Sequence, residues 1–92
     1  MAETTRITKP TGYQQLTSLA AAAGLTVPAR SRRAIIQAEA QAVRWRDDGT
    51  NPTDSIGMRL NADEELEYDG DLAAIKFIET TASAKLNVTY YQ

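Results

Sequence analysis

Turn-forming residues recur in the second half of the chain at intervals of about ten residues, and this spacing limits the fold more than any other feature. Between the turns, apolar and polar residues alternate over short runs, which is typical of half-buried strands. The pattern predicts an all-β domain of about 6–8 short strands, built as a small β-sandwich or a jelly-roll-like barrel. The turn signals are Asp48-Gly49, Asn61-Ala62-Asp63, Asp69-Gly70 and Ala82-Ser83-Ala84, and the apolar runs are Ile56, Met58 and Leu60, then Leu66 and Tyr68, then Ile75, Phe77 and Ile78, and finally Leu86, Val88 and Tyr90.

The segment AIIQAEAQAVRWR, residues 34–46, carries both helical and strand signals. Its alanines and glutamate favour a helix, but the alternation of its two sides fits a single strand better. We expect the alanine-rich side to pack closely under a second sheet, because small side chains allow a close approach. That side holds Ala34, Ile36, Ala38, Ala40, Ala42, Arg44 and Arg46, and the other side holds Ile35, Gln37, Glu39, Gln41, Val43 and Trp45.

The first quarter of the chain is less clear. YQQLTSLAAAAGL, residues 13–25, fits a helix that stops at Gly24 and equally a strand from Tyr13 to Ser18. Residues 1–12 are polar, so we expect a flexible N-terminal arm before a single β domain over residues 13–92. A chain of 92 residues buries only roughly 60–65% of its extended surface, so docking on a larger body would add useful stability.

The composition argues against most catalytic and metal chemistry. There is no cysteine and no histidine, which removes thiolate sites, imidazole ligands and the commonest general base. The acidic runs DDGTNPTD and DEELEYDGD do not match the calcium-loop spacing. We therefore expect no enzyme activity, no cofactor and no bound metal. No run reaches the roughly 18 apolar residues that span a bilayer, and the N-terminus lacks a signal-peptide core, which predicts cytoplasmic synthesis without membrane association.

The stretch VRWRDDG resembles a basic and aromatic patch at first sight. On a strand, however, Arg44 and Arg46 lie on the side opposite Trp45, and the two aspartates that follow would repel phosphate. Trp45 is therefore interpreted as a core or interface anchor, since tryptophan buries much apolar area. We expect the arginines to pair with the acidic segment or with carboxylates of a partner.

Charge is sorted along the chain. Residues 47–71 contain nine of the twelve acidic residues and only one base, Arg59, so that segment carries −8 and the rest +6. The basic residues that precede this acidic segment form a patch that could help a partner to dock. Because the chain as a whole is acidic, we expect no specific nucleic-acid binding. Of the two terminal tyrosines, one is expected to pack and the other to be exposed. The candidate partner interface comprises Lys9, Arg30, Arg32, Arg33, Trp45, Tyr68 and Tyr91.

Two long stretches, IIQAEAQAVRWRDDGTNPTDSIGMRL and LEYDGDLAAIKFIETTASAKLNVTYY, together resemble small structural proteins of tailed bacteriophages and prophages. The resemblance covers roughly residues 13–92. It implies an all-β virion component that is synthesised in the cytoplasm of the bacterial host. Its implied partners are the major capsid protein or other virion proteins, and it implies a homo-oligomer, with a trimer favoured.

Small β domains of this kind either decorate and cement the capsid or lie at the neck, the tail or the fibre base. We expect capsid decoration first. The alternative from another class is a carbohydrate-binding module of a tail fibre, in which Trp45 and Tyr68 would be exposed stacking residues.

Overall fold

The computed structural model describes residues 9–92, which form eight strands in two four-stranded antiparallel sheets. Sheet 1 has the strand order β1-β8-β3-β6, and sheet 2 has the order β2-β7-β4-β5. Neither helix nor membrane-spanning helical segment occurs among these residues. The strands are β1 Pro10–Leu16, β2 Ala23–Gly24, β3 Arg33–Glu39, β4 Val43–Arg46, β5 Met58–Leu60, β6 Glu65–Tyr68, β7 Lys76–Glu79 and β8 Lys85–Tyr91.

These strand orders define a jelly roll. The chain passes between the sheets at almost every connection, and only β4 and β5 follow each other within one sheet. Eight strands wound in this way form two Greek keys that face each other across one core. The predicted all-β fold is therefore confirmed, with a sandwich of two sheets that are connected as a jelly roll.

The core is built from small residues opposite large ones. On the inner face of sheet 1, Ala34 lies opposite Tyr90, and Ala38 lies opposite Leu86. All four side chains are fully buried, as are Val43 and Phe77 of sheet 2. Because each pair combines a small and a large side chain, the two pairs fill a similar volume on the inner face. This allows dense packing against the other sheet. The prediction that the alanine-rich side is buried is confirmed for residues 34–38.

The prediction of one continuous strand over residues 34–46 is wrong. β3 ends at Glu39 in sheet 1, and β4 begins at Val43 in sheet 2. Ala40 between them has a φ of 75°, which ends the extended ladder because an L-residue at positive φ turns the backbone away. The corner also changes the alternation, so Val43 points into the core. Alanine is not a typical turn residue, and the sequence therefore gave no signal for this corner.

At the N-terminus, β1 begins at Pro10 and includes the last three residues of the segment predicted to be an arm. Lys9, the arm residue before β1, is bound to Gln92 through its backbone, and the remaining residues 1–8 of that prediction lie outside the described residues. The two possibilities for residues 13–25 are resolved in favour of a strand that ends at Leu16. Leu19 in the following loop is fully buried and belongs to the core.

The strand directions bring both described chain ends together. β1 and β3 begin where β8 ends, because Pro10 and Arg33 both lie opposite Tyr91. The backbone N–H of Gln92 donates a 2.8 Å hydrogen bond to the carbonyl of Lys9. The β2–β3, β4–β5 and β6–β7 connections lie at the same end. We call it the terminal end of the sandwich.

Candidate interaction surface

All seven residues of the predicted partner interface lie at the terminal end. Strand register places Lys9, Arg33 and Tyr91 there. Tyr68 is the last residue of β6 and lies opposite Ala34, near the start of β3. The fold divides the seven residues into a basic corner around the chain ends and an aromatic corner between β4 and β6. The basic corner contains Lys9, Arg30, Arg32, Arg33 and Tyr91, and the aromatic corner contains Trp45 and Tyr68.

Three cations of the basic corner are exposed. The side chains of Lys9, Arg30 and Arg32 form no ion pair within residues 9–92. Arg30 lies in a tight turn with a φ of 69°, and the N–H of Arg32 donates to the carbonyl of Tyr91 at 2.8 Å. The backbone is therefore anchored while the three positive charges face solvent.

Arg33 and Tyr91 have a different environment. The Arg33 guanidinium forms a 2.7 Å ion pair with Glu67 on the neighbouring strand β6 and lies 5.6 Å from the centre of the Tyr91 ring. Both side chains are half-buried on the outer face of sheet 1. Of the terminal tyrosines, Tyr90 is fully buried. Arg33 and Tyr91 thus contribute to cross-strand packing and leave Lys9, Arg30 and Arg32 as the exposed part of this corner.

Tyr68 is a buried residue, so the expectation that it is an exposed stacking side chain is wrong. It is 7% exposed, because its register opposite Ala34 directs it to the inner face. Its hydroxyl donates a 2.7 Å hydrogen bond to the Asp47 carboxylate. Burial, assisted by that carboxylate, raises the pKa of Tyr68 to about 12. Its phenol is therefore protonated at neutral pH and serves as a donor inside the fold.

Trp45 lies against Tyr68 and also borders the surface. The two rings meet edge to face with centroids 6.0 Å apart, and Trp45 is half-buried. Beside it is an open groove of about 420 Å³. We call it the aromatic groove, and its lining residues are Trp45, Arg46, Asp47, Asp48, Ile56, Gly57 and Met58.

Two large apolar side chains of the aromatic groove face solvent. Ile56 is 57% exposed and Met58 is 61% exposed, although both belong to the same alternating apolar run as the buried Leu60. Met58 lies opposite Trp45 and on the same face of sheet 2, but β5 is the edge strand of that sheet. The inner face is therefore left uncovered beside Met58. The sequence did not reveal that Met58 is exposed. Alternation shows which side of a strand a residue occupies, but it does not show whether another strand covers that side.

The loop that carries Ile56 is held firmly in place. Arg44 donates to the carbonyl of Gly57 at 2.9 Å and to that of Asp54 at 3.2 Å. Within the loop, Thr53 and Ile56 exchange two backbone hydrogen bonds. The groove is thus formed before any partner arrives, which lowers the entropy cost of binding.

The prediction that the arginines of VRWR pair with the acidic segment is confirmed for Arg46 only. Its guanidinium binds both oxygens of Asp48, at 3.0 Å and 2.6 Å. This hydrogen bonding lowers the pKa of the Asp48 carboxyl below its ordinary value. The two charges neutralise each other at one side of the groove. Arg44 instead binds backbone carbonyls, as described above.

A second exposed surface covers the outer face of sheet 1. Asn87 is its centre: its side-chain oxygen accepts from Tyr13 at 2.7 Å and from Gln15 at 2.9 Å, and its nitrogen donates to Glu39 at 2.9 Å. Tyr13 is 65% exposed. The side chains on this face bond mainly to one another, so the face is polar and largely satisfied.

Among residues 9–92, no three acidic side chains come close enough together to hold a metal ion. Comparison with known proteins gives no matching family model, no matching curated protein and no matching solved structure. The fold and the surface therefore define the class: an all-β jelly-roll domain whose terminal end carries an exposed apolar groove and a separate cluster of cations.

Proposed function

We propose that this protein is a non-enzymatic structural component of a tailed-bacteriophage virion that binds the major capsid lattice as a decoration or cement protein. The observation that carries the proposal is the exposure of Ile56 and Met58 beside Trp45 in a groove held by hydrogen bonds. The resemblance of the sequence to phage structural proteins supplies the virion context. Jelly rolls are also used by capsid proteins, which is support by analogy of fold alone.

The composition of the groove supports protein docking. Trp, Met and Arg are enriched at the centres of protein interfaces, where buried anchors supply most of the binding energy. An exposed apolar pair in a preformed groove is costly in water and favourable once it is covered. The aromatic groove combines these properties at one corner of the sandwich.

The distribution of charge supports an oriented contact. Lys9, Arg30 and Arg32 stand at one corner of the terminal end, and the acidic segment 47–71 borders the aromatic groove. A partner surface with the complementary pattern would be steered into a single orientation. Several linked copies, as in the proposed trimer, would gain further affinity through avidity. Binding only the folded state would also stabilise this small domain.

Of the two alternative roles, one would use the same docking surface and the other would require a different one. A neck, tail or fibre-base component would use the same terminal end on another virion protein. The carbohydrate-binding module is less favoured, because it relied on Trp45 and Tyr68 as an exposed pair and Tyr68 is buried. The proposed location is the virion, after synthesis in the host cytoplasm.

The test uses heads and tails separated from particles of a phage that encodes the chain. Purified protein is added to each fraction, the particles are pelleted, and the bound copies are counted at two salt concentrations. Decoration predicts saturable binding to heads at many copies per particle, weakened by salt. Binding only to tails in a few copies would replace decoration by the alternative role, and binding to neither fraction would overturn the proposal.

Variants locate the contact. Ile56→Ser combined with Met58→Ser removes the exposed apolar pair and should abolish most binding. Tyr13→Ser removes a comparably exposed side chain from the other surface and should leave binding intact. Equal loss in the Tyr13 variant would contradict docking through the terminal end.

The basic corner is tested separately. Arg30→Ala combined with Arg32→Ala should weaken binding and reduce its salt dependence. Arg33 is left unchanged because it pairs with Glu67 within the fold.

A further inference from the structure

We propose that the aromatic groove is a receptor for one cationic side chain, an arginine or a lysine, presented by the partner protein. This inference rests on the proposed docking function and specifies its chemistry. It requires a carboxylate that lacks a cation, an apolar channel for the alkyl stem of the side chain, and walls that are already in position. The aromatic groove supplies all three.

The carboxylate is Asp47. Its Oδ2 accepts the 2.7 Å hydrogen bond from Tyr68, and within residues 9–92 it forms no ion pair. The other charges of the groove cancel, because Arg46 and Asp48 bind each other through two hydrogen bonds. The groove therefore keeps one uncompensated negative charge at a fixed position. A guanidinium or an ammonium is the side-chain group that complements it.

The channel consists of Trp45, Ile56 and Met58. Lysine and arginine side chains bury their alkyl stems along apolar surface while the charged head remains near polar groups. A cation beside the indole of Trp45 would also be attracted by the face of the ring. Neither an acidic nor a purely apolar anchor would use both Asp47 and the indole, so the arrangement favours a cation.

The walls are held in place by backbone geometry. Gly57 has a φ of 141°, and a Cβ at this position would lie 3.1 Å from the carbonyl oxygen of Trp45 and 3.2 Å from the side chain of Pro52. Only glycine allows this close approach without strain. Arg44 binds the carbonyl of Gly57 from the outer side of sheet 2. The distance between the Ile56 loop and β4 is thus set before binding.

The surroundings of the groove favour the approach of a cation. Residues 47–71 carry a net charge of −8, and this segment supplies most of the groove lining. The exposed Lys9, Arg30 and Arg32 lie at the other corner of the terminal end. Arg59, on β5 beside Met58, is also exposed, and its charge is already included in the −8 of the segment. A field of this sign raises the local concentration of basic partner segments and lowers that of acidic ones.

The test is a titration of the isolated full-length protein with N-acetyl-argininamide, followed by two-dimensional NMR. The chain has one tryptophan, so its indole N–H gives one signal that reports directly on the groove. N-acetyl-citrullinamide, which has nearly the same shape but no charge, is the matched control probe. We expect saturable shifts of the Trp45 indole at about millimolar argininamide, as befits a single side chain, and at least about fivefold weaker binding of the citrulline analogue.

Two matched variants localise the charge. Asp47→Asn should weaken argininamide binding about tenfold, whereas Asp54→Asn, in the same loop but outside the groove lining, should not change it. If Asp47→Asn fails to fold, the wild-type titration is repeated at high salt, where binding should weaken. Equal binding of both probes, no effect of Asp47→Asn in a folded variant, or no shift at Trp45 would each overturn the inference.

The titration does not depend on the phage particle. Argininamide binding without binding to heads or tails would overturn the proposed function and leave the groove as a cation receptor. Binding to heads without argininamide binding would support the proposed function and overturn the groove as a cation receptor.

Discussion

The hydroxyl of Tyr68 donates a 2.7 Å hydrogen bond to Asp47, and this bond joins the two sheets at the terminal end of the sandwich. Tyr68 ends β6 in sheet 1, whereas Asp47 follows β4 in sheet 2. The same contact holds the Asp47 carboxylate beside Trp45. One interaction therefore connects the packing of the core with the geometry of the aromatic groove.

Tyr68→Phe tests the energy of this bond. The variant keeps the buried ring and removes only the hydroxyl, so the free energy of unfolding should fall by about 1 kcal/mol, a typical value for one hydrogen bond. Urea denaturation monitored by Trp45 fluorescence measures it. Tyr13→Phe is the control, because its hydrogen bond to Asn87 lies on an exposed face, and it should change stability by less than about 0.5 kcal/mol. Equal stability of the Tyr68 variant and the wild type would show that the bond contributes nothing net.

Gly70→Ala tests the space around Tyr68. A Cβ on Gly70 would lie 2.5 Å from the Tyr68 hydroxyl oxygen and 2.6 Å from the ring carbon that bears it. The ring is held by core packing, so we expect a loss of about 1–3 kcal/mol in the free energy of unfolding, as in other overpacked sites. Asp69→Ala, at the exposed neighbouring position, should cost much less. A Gly70→Ala protein as stable as the Asp69→Ala protein would mean that Tyr68 moves aside freely.

Alkaline pH should unfold the protein through two tyrosines. Burial raises the pKa of Tyr68 and of Tyr90 to about 12, from the ordinary value of 10.0. Since the folded-state pKa lies above the unfolded value, the stabilisation is complete below about pH 10 and is lost as the pH rises towards 12. Phenolate absorbance should show two tyrosines that titrate late, and unfolding should follow in the same range.

Phenylalanine variants assign these two groups. Tyr68→Phe and Tyr90→Phe should each remove one late-titrating phenol and reduce the steepness of the alkaline transition. The Tyr90 hydroxyl donates to Gln14 at 2.7 Å, so its variant also loses one hydrogen bond at neutral pH. A single early titration of every tyrosine, while the protein is still folded, would contradict burial of both phenols.

Ala40→Gly should stabilise the protein. Ala40 has a φ of 75°, a conformation that is strained for alanine and free of strain for glycine. We expect a gain of about 0.5–1 kcal/mol in the free energy of unfolding, measured by urea denaturation. Ala38→Gly, two residues earlier in the buried strand, is the matched control and should destabilise. A loss of stability in both variants would argue against the left-handed corner between β3 and β4.

The local strands and turns followed from the sequence because their signals are local. Alternation in residues 85–91 and the buried alanine side of residues 34–38 were predicted correctly, since a strand places every second side chain on the same face. Asp48-Gly49 was predicted to form a turn, and Gly49 has a positive φ of 90°, which suits a turn glycine. The second turn glycine differs: Gly70 is required by the nearby Tyr68 ring and not by its own φ.

The candidate site could be predicted only in part. All seven predicted interface residues lie at the terminal end, but Tyr68 is in the core. The exposed groove residues Ile56 and Met58 were missed, because each has the hydrophobicity and the spacing of a core residue. Nothing in a single sequence indicates that β5 is an edge strand, since strand order depends on contacts between distant segments.

By itself, the sequence determined the fold class, most of the turns and the apolar side of β3 and of the strands from β5 to β8. The tertiary structure decided where the apolar sides are covered: it broke residues 34–46 at Ala40, buried Tyr68 against Asp47, and left Met58 open at the edge of sheet 2. The physical reason is that periodicity is a property of a local segment. Burial depends instead on whether a strand of the other sheet, distant in the sequence, covers that segment.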